Sequence, residues 1–270
     1  MTLASCQVDA SSCSHLLCAR SITRRYPALA GDGLPRGIQN VSLALSAGDR
    51  LALIGRSGSG KSTLARSLAL LERVDAGEVW ISGTNAWQAP HLAPLRRQVQ
   101  LVLQDAHAAF NPYFTVVEAV EEPLRYGPGQ SAVERLTRVR ELLDLMHVPR
   151  AAADRFARDL SGGERRRVLV ARALTTDPRV LILDETLVSL ESDSAAGMLR
   201  TLFDLQAHLQ FAIILIGHDL TAARHCDRAM LIDAGEICES GSVSDLFDRP
   251  QSTAGRAFAT AARRIAALPC

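Results

Sequence analysis

The sequence predicts an α/β fold, a parallel sheet covered by helices, and three observations carry that expectation. Short apolar runs stand at Leu51–Ile54, Val180–Leu183 and Phe211–Ile216 without polar alternation, as strands buried on both faces require. Stretches with apolar residues at helical spacing lie between them, beginning with Lys61 to Glu72. An apolar content of 47% in a chain of 270 residues is ample for one large domain or two modest ones.

Taken in order, residues 1–20 are rich in Ser and Cys without periodicity and are expected as a poorly ordered lead-in to one domain over residues 21–266. In GIQNVSLALSAGDRLALIG apolar residues alternate through Val41, Leu43 and Leu45, a turn falls at Ala47-Gly48-Asp49, and a buried strand ends at Ile54. This part is β-rich. The run QVQLVLQ reads as a strand ending at Gln104. Val116 to Arg158 then reads mostly as helix, in VVEAVEEPLRYG and in SAVERLTRVRELLDLMHV with its regular Leu and Val stripe. With no low-complexity linker on either side, this helical insertion, over residues 105–160, is a subdomain rather than an independent unit.

Thirty Lys and Arg against 29 Asp and Glu give a net charge of +1, so the bulk electrostatics offer no reason to expect nucleic acid as a partner. Arg165, Arg166 and Arg167 leave a local basic patch open. The longest apolar runs fall short of the roughly 20 residues a bilayer span needs, and the N-terminus lacks the basic and apolar regions of an export signal. The chain reads as cytosolic. Its six cysteines show no Cys-x-x-Cys pair and no metal-ligand spacing, and are read as ordinary reduced thiols.

GRSGSGKST, covering Gly55, Arg56, Ser57, Gly58, Ser59, Gly60, Lys61, Ser62 and Thr63, fits G-x-x-x-x-G-K-[ST] after a buried strand and before a helix. Its glycines let the backbone wrap around phosphate, its amides face the negative charge, Lys61 reaches the terminal phosphates, and the Ser62 hydroxyl can ligate magnesium. The run VLILDETLVSL ends a buried strand in two adjacent carboxylates, which are costly unless a cation or solvent meets them. With a phosphate loop upstream, a parallel strand places Asp184 near the magnesium and Glu185 near the terminal phosphate, where it can accept a proton from attacking water. In LSGGERRRV, Ser161 and Glu164 form a helix N-cap whose amides and dipole suit phosphate.

With LSGGE 23 positions before Asp184 (184 minus 161), the chain resembles the nucleotide-binding subunit of an ABC transporter. The resemblance covers nearly everything beyond residue 20 and implies a P-loop cassette: a RecA-like core, an antiparallel β portion and a helical subdomain. It implies that Ser161, Gly162 and Gly163, with Glu164 where glutamine or glutamate is usual, close over ATP held on the phosphate loop of another subunit. Gln104 matches the glutamine that contacts magnesium and couples to the membrane partner, and His218 the histidine that contacts the terminal phosphate. Tyr26 matches the aromatic residue that stacks on adenine, and a plain turn tyrosine is the other reading. ATP and Mg2+ are the implied cofactors. Permease subunits, a second identical or similar ATPase and, indirectly, a periplasmic binding protein are the implied partners at the cytoplasmic face of the bacterial inner membrane.

One departure stands out. Where the family continues with Pro-Thr-Ser-Ala-Leu-Asp, this chain has Thr186 to Glu191, and the extra methylene of Glu191 puts its contact with the opposite subunit in doubt. The stretch QDAHAAFNPYFTV resembles oligopeptide, dipeptide and nickel importers. The C-terminal region lacks the His-Pro-Tyr-Thr segment and cysteine cluster of the peptide type, and STAGR, GRSGSGKSTLAR and the relaxed segment after Glu185 look more like the nickel-import subunit. A dipeptide or oligopeptide importer is the alternative, and a soluble ABC ATPase a more remote one. The groove beside Gln104, including Phe110 to Phe114, is the expected permease contact.

Overall fold

The computed structural model describes residues 14–27, 36–103, 109–127, 129–184, 193–217 and 223–266. Successive side chains of a strand point to opposite faces, so a strand covered on both sides must be apolar throughout. That is the state of β3 (Arg50–Ile54), β7 (Val180–Asp184) and β8 (Ala212–Gly217), which are buried beyond Arg50 and apolar apart from Arg50 at the start of β3 and Asp184 at the end of β7. With β6 (Val99–Val102), β9 (Arg228–Asp233) and β10 (Glu236–Ser242) they form a sheet of order β10-β9-β3-β8-β7-β6. All its pairings are parallel except that of the edge hairpin β9–β10. Leu51, Leu53, Val180, Ile182, Ile214 and Ile216 face one core, and Ala52, Ile54, Leu181, Leu183, Ile213 and Leu215 face the other. This alternation explains why the strands read as unbroken apolar runs.

The first core is closed by α1 (Lys61–Leu68) and by an antiparallel sheet. That sheet contains β1 (Leu17–Tyr26), β2 (Arg36–Leu45), β4 (Ala76–Ile81) and β5 (Thr84–Asn85), in the order β2-β1-β4-β5. The expected lead-in over residues 1–20 is corrected here: β1 starts at Leu17, and Leu17, Cys18 and Ala19 are buried. This short apolar step was masked by the Ser- and Cys-rich composition before it. Helix α1 also stops earlier than Glu72, because Leu70 adopts a left-handed conformation at φ 58° and turns the chain out of the helix.

The second core takes the helical insertion. Helix α2 (Ala93–Gln98) leads into β6, and α3 (Val116–Arg125) and α4 (Ala132–Leu145) then pack against α5 (Gly162–Leu174) and α6 (Asp193–Leu209). Thr115 with Glu118, and Ser131 with Glu134, close reciprocal capping boxes that start α3 and α4 where the pattern placed them. The neck is stitched by a Thr115–Phe156 bridge and by N–H bonds from Val116 to the Arg155 carbonyl and from Val117 to the Ala153 carbonyl. Glu121, only 6% exposed, accepts from both Arg125 and Arg135 and so ties α3 to α4. Burial pushes its carboxyl up, but the Arg135 and Arg125 guanidiniums hold it below the ordinary range.

The run Arg165–Arg167 is not an open basic patch: Arg165 is buried and donates to the Arg158 and Leu160 carbonyls, and Arg167 donates to that of His147. The C-terminal helix Thr253–Ala266 is seated by Glu239, which accepts from the N–H groups of Gln251 and Ser252 at 2.7 and 3.0 Å. A Cβ on Gly255 would lie 2.1 Å from a Glu239 oxygen, so the glycine of STAGR serves this close approach. Of the described cysteines, Cys18 and Cys226 are buried, and burial pushes the Cys226 thiol up to about 12, far from the reactive thiolate form. Among the described residues no helix is long and apolar enough to cross a membrane.

Candidate functional site

The segment Gly55–Thr63 leaves the C-terminal end of β3 and enters α1. Gly58 and Gly60 take φ of 78° and 107°, and a Cβ on Gly60 would sit 2.6 Å from the Gly37 carbonyl oxygen, so the turn is closed to other residues there. The Lys61 ammonium is buried and donates to the Gly55 and Arg56 carbonyls, each at 2.9 Å, which folds it back over the loop. Arg56, Ser57 and Gly58 form the exposed crest, Ser62 is half-buried, and Thr63 is buried at the start of the helix. The turn between β9 and β10 backs the loop, the Gly235 N–H donating to the Ser59 carbonyl at 2.9 Å.

These residues fit a polyphosphate. Helix α1 begins with no side-chain cap and no acidic residue in its first turn, so its leading amides and the positive end of its dipole are left for an anion. The Ser59 hydroxyl is buried and finds no hydrogen-bond partner in the structure, a vacancy an anionic oxygen satisfies.

Asp184 ends β7 and is 5% exposed. Asp184 pairs with Ile216, and Gly217 with Ile54, so Asp184 and the phosphate loop emerge on the same sheet edge with β8 between them. The positions of Glu185 and His218 directly follow the ends of β7 and β8 in the chain. Gln104, Glu185, Glu191 and His218 lie outside the described residues.

The turn at Ser161 is built differently. The Ser161 hydroxyl accepts from the Glu164 N–H at 3.3 Å, and the Glu164 carboxylate accepts from the Ser161 N–H at 2.8 Å. Those bonds, with Arg155 at 3.6 Å, hold the Glu164 carboxyl below its ordinary range. Gly162 and Gly163 are exposed, and a Cβ on either would meet nothing within 4 Å. Helix α5 packs on the core opposite to that of α1, so the sheet separates the helix that starts at the Ser161 cap from the phosphate-loop helix of the same chain.

Tyr26 closes β1, its hydroxyl donating to Glu72 and its ring lying 5.1 Å from the Arg24 guanidinium. Glu72 was invisible to motif reading, since it is 46 residues away in the chain and belongs to no pattern. The expected groove also needs correction. Phe110 is 9% exposed and sits in the core, Phe114 packs partly against it, and Asn111, Pro112 and Tyr113 are exposed, Tyr113 at 76%. A groove of 390 Å³ lies between β6, α3 and α5 and is lined by Leu101, Leu103, Ala109, Pro123, Tyr126 and Leu169 among others. An Asn111 turn, whose side chain accepts from the Tyr113 N–H at 3.1 Å, swings the two phenylalanines inward.

Residues 38–188 match the family described as ABC transporter. The chain is 38% identical over 232 residues to a putative peptide import ATP-binding protein of Brucella abortus, covering 83% of this chain and 68% of that protein. It is 40% identical over 233 residues to the nickel import ATP-binding protein NikE of Shigella boydii, covering 83% of this chain and 84% of that one. The fold matches a dimeric post-hydrolysis structure of the ATP-binding cassette MJ0796 bound to ADP and Pi, with a TM-score of 0.76, 26% identity, and coverage of 84% of this chain and 98% of that one.

Proposed function

The chain belongs to the ABC transporter family as the ATP-binding, ATP-hydrolysing subunit of an importer, and from that premise we propose that it powers uptake of nickel, or of a nickel chelate, across the bacterial inner membrane. Its partners in this role are integral-membrane permease subunits, a second ABC ATPase and, indirectly, a periplasmic binding protein. The observation supporting the site is the uncapped start of α1 beside the buried Lys61 ammonium and the unpartnered Ser59 hydroxyl.

In this reading Gly55–Thr63 hold the triphosphate: loop amides donate to its oxygens, and Lys61 turns from the Gly55 and Arg56 carbonyls toward the terminal phosphates. Tyr26 stacks on adenine. Ser62, Gln104 and Asp184 would hold Mg2+, which would neutralise phosphate charge. Glu185 accepts the proton of the attacking water, and His218 contacts the terminal phosphate. Ser161, Gly162, Gly163 and Glu164 of the neighbouring ATPase close over the same nucleotide, an arrangement supported by the separation of α1 and α5 on opposite faces of the sheet. The permease seats in the groove beside β6, where Leu103 and Tyr126 are exposed at 36% and 84%.

Nickel is supported by the stretch GRSGSGKSTLAR and by the absence of a His-Pro-Tyr-Thr segment in the C-terminal region. STAGR weighs less, because its glycine serves the seating of a helix on Glu239. Peptide import is the second reading, favoured by the 38% identity to a putative peptide import protein. Elemental nickel in cells with and without the gene tests the choice: a fall on deletion is expected, and unchanged nickel with lost peptide uptake assigns the peptide class. For the chemistry, Glu185→Gln is expected to bind ATP normally and lose turnover; phosphate release at the parent rate removes Glu185 from the role of base.

A further inference from the structure

Arg172 lies in the last turn of α5, the helix that begins at the Ser161 cap. Its Nη1 donates to the Ala109 carbonyl at 3.3 Å and its Nη2 to the Glu122 carboxylate on α3 at 2.8 Å, while its Nε is buried without a hydrogen-bond partner. The fork is therefore committed to two directions at once, in the fixed plane of a guanidinium, a geometry that the point charge of an ammonium on a flexible stem does not hold. Both charged side chains are about one-third exposed, at 30% and 34%, so the pair itself adds little to folding stability. What it does is geometric. Ala109, Glu122 and Arg172 all line the groove beside β6, and α5 is a rigid rod of about 20 Å, at about 1.5 Å per residue, from that groove to the signature turn.

We infer that Arg172 is a positioning residue that locks the groove wall, through Ala109 and Glu122, to the helix carrying Ser161–Gly163, so that a permease seated in the groove sets the position of the signature turn. This rests on the reading of the groove and of the signature turn given above. The coupling is mechanical: a shift of α3 or of the chain at Ala109 is carried by the guanidinium into α5 instead of being absorbed between them.

The test uses the tagged chain purified in mild detergent from its own membranes with whatever permease accompanies it. Copurification, affinity for trinitrophenyl-ATP, melting temperature, KM and kcat are read on the same samples. For Arg172→Ala, nucleotide affinity and KM are expected to stay within about twofold while kcat of the complex falls about tenfold, with Arg172→Lys recovering only a minor part. Arg172→Gln, which keeps a planar donor group, is the second variant should the alanine form fold poorly, and is expected to give the same split. Full kcat in Arg172→Lys, or a parallel loss of affinity, KM and melting temperature, overturns the inference and leaves a charge effect or a packing role. A parent chain that brings down no permease sinks the groove reading itself, and the inference with it; a variant that brings down its permease and turns over normally sinks the inference alone.

Discussion

The phosphate loop and the signature turn are both glycine-bearing helix starts, yet their glycines answer to different constraints. At Gly60 the reason is inside the chain: φ is 107° and the Gly37 carbonyl stands where a Cβ would go. At Gly162 and Gly163 nothing lies within 4 Å of an added Cβ, and both residues occupy the first turn of α5, where glycine is about 1 kcal/mol less favourable than alanine at a helical position. The fold of one chain thus explains Gly60 and leaves the second turn carrying a cost without a local return. In the proposed function, a surface of another molecule pressed against that turn supplies the missing reason.

The largest effect that sharpens this contrast is expected from Gly163→Ala. Turnover of the assembled transporter should fall by about 100-fold, as for a misplacement of about 1 Å at a reacting centre, while the melting temperature of the isolated chain holds or rises. A clear drop in that melting temperature breaks the contrast. Gly60→Ala should do the reverse in the isolated chain, with stability lowered by about 1–3 kcal/mol through backbone strain and ATP binding lost. Chemical denaturation with and without nucleotide checks both. Ser161→Ala removes a cap and should cost about 1 kcal/mol, visible as reduced exchange protection confined to the first turns of α5.

The smallest effect is in pH. The folded pKa of Glu164 is depressed below its ordinary 4.5, so its contribution is present above that value and is lost as pH falls through the depressed folded value. Glu164→Gln should flatten the part of the acid stability curve just below pH 4.5. An unchanged curve removes the capping carboxylate from the acid response.

The contrast also marks how far sequence reading reaches. Strands β3, β7 and β8 were readable because burial on both faces removes polar residues from all but their ends, and α3 and α4 because their apolar residues recur at helical spacing. The hairpins β4–β5 and β9–β10 were not, since AGEVWI and EICESGS are short, half exposed and interrupted by glycine and glutamate. The phosphate loop, Asp184 and the Ser161 cap were found from local spacing. The hydrogen bond from Tyr26 to Glu72 and the Arg172 bridge depend on contacts between distant segments that carry no local pattern.

The composite site is tested most directly by placing a photo-crosslinking amino acid at Arg56, on the exposed crest of the loop, in the Glu185→Gln complex. Irradiation with ATP and magnesium, followed by mass spectrometry, should give a crosslink to the signature-turn peptide of a neighbouring ATPase, absent without nucleotide. Crosslinks that stay within one chain, or that are the same with and without ATP, contradict the arrangement.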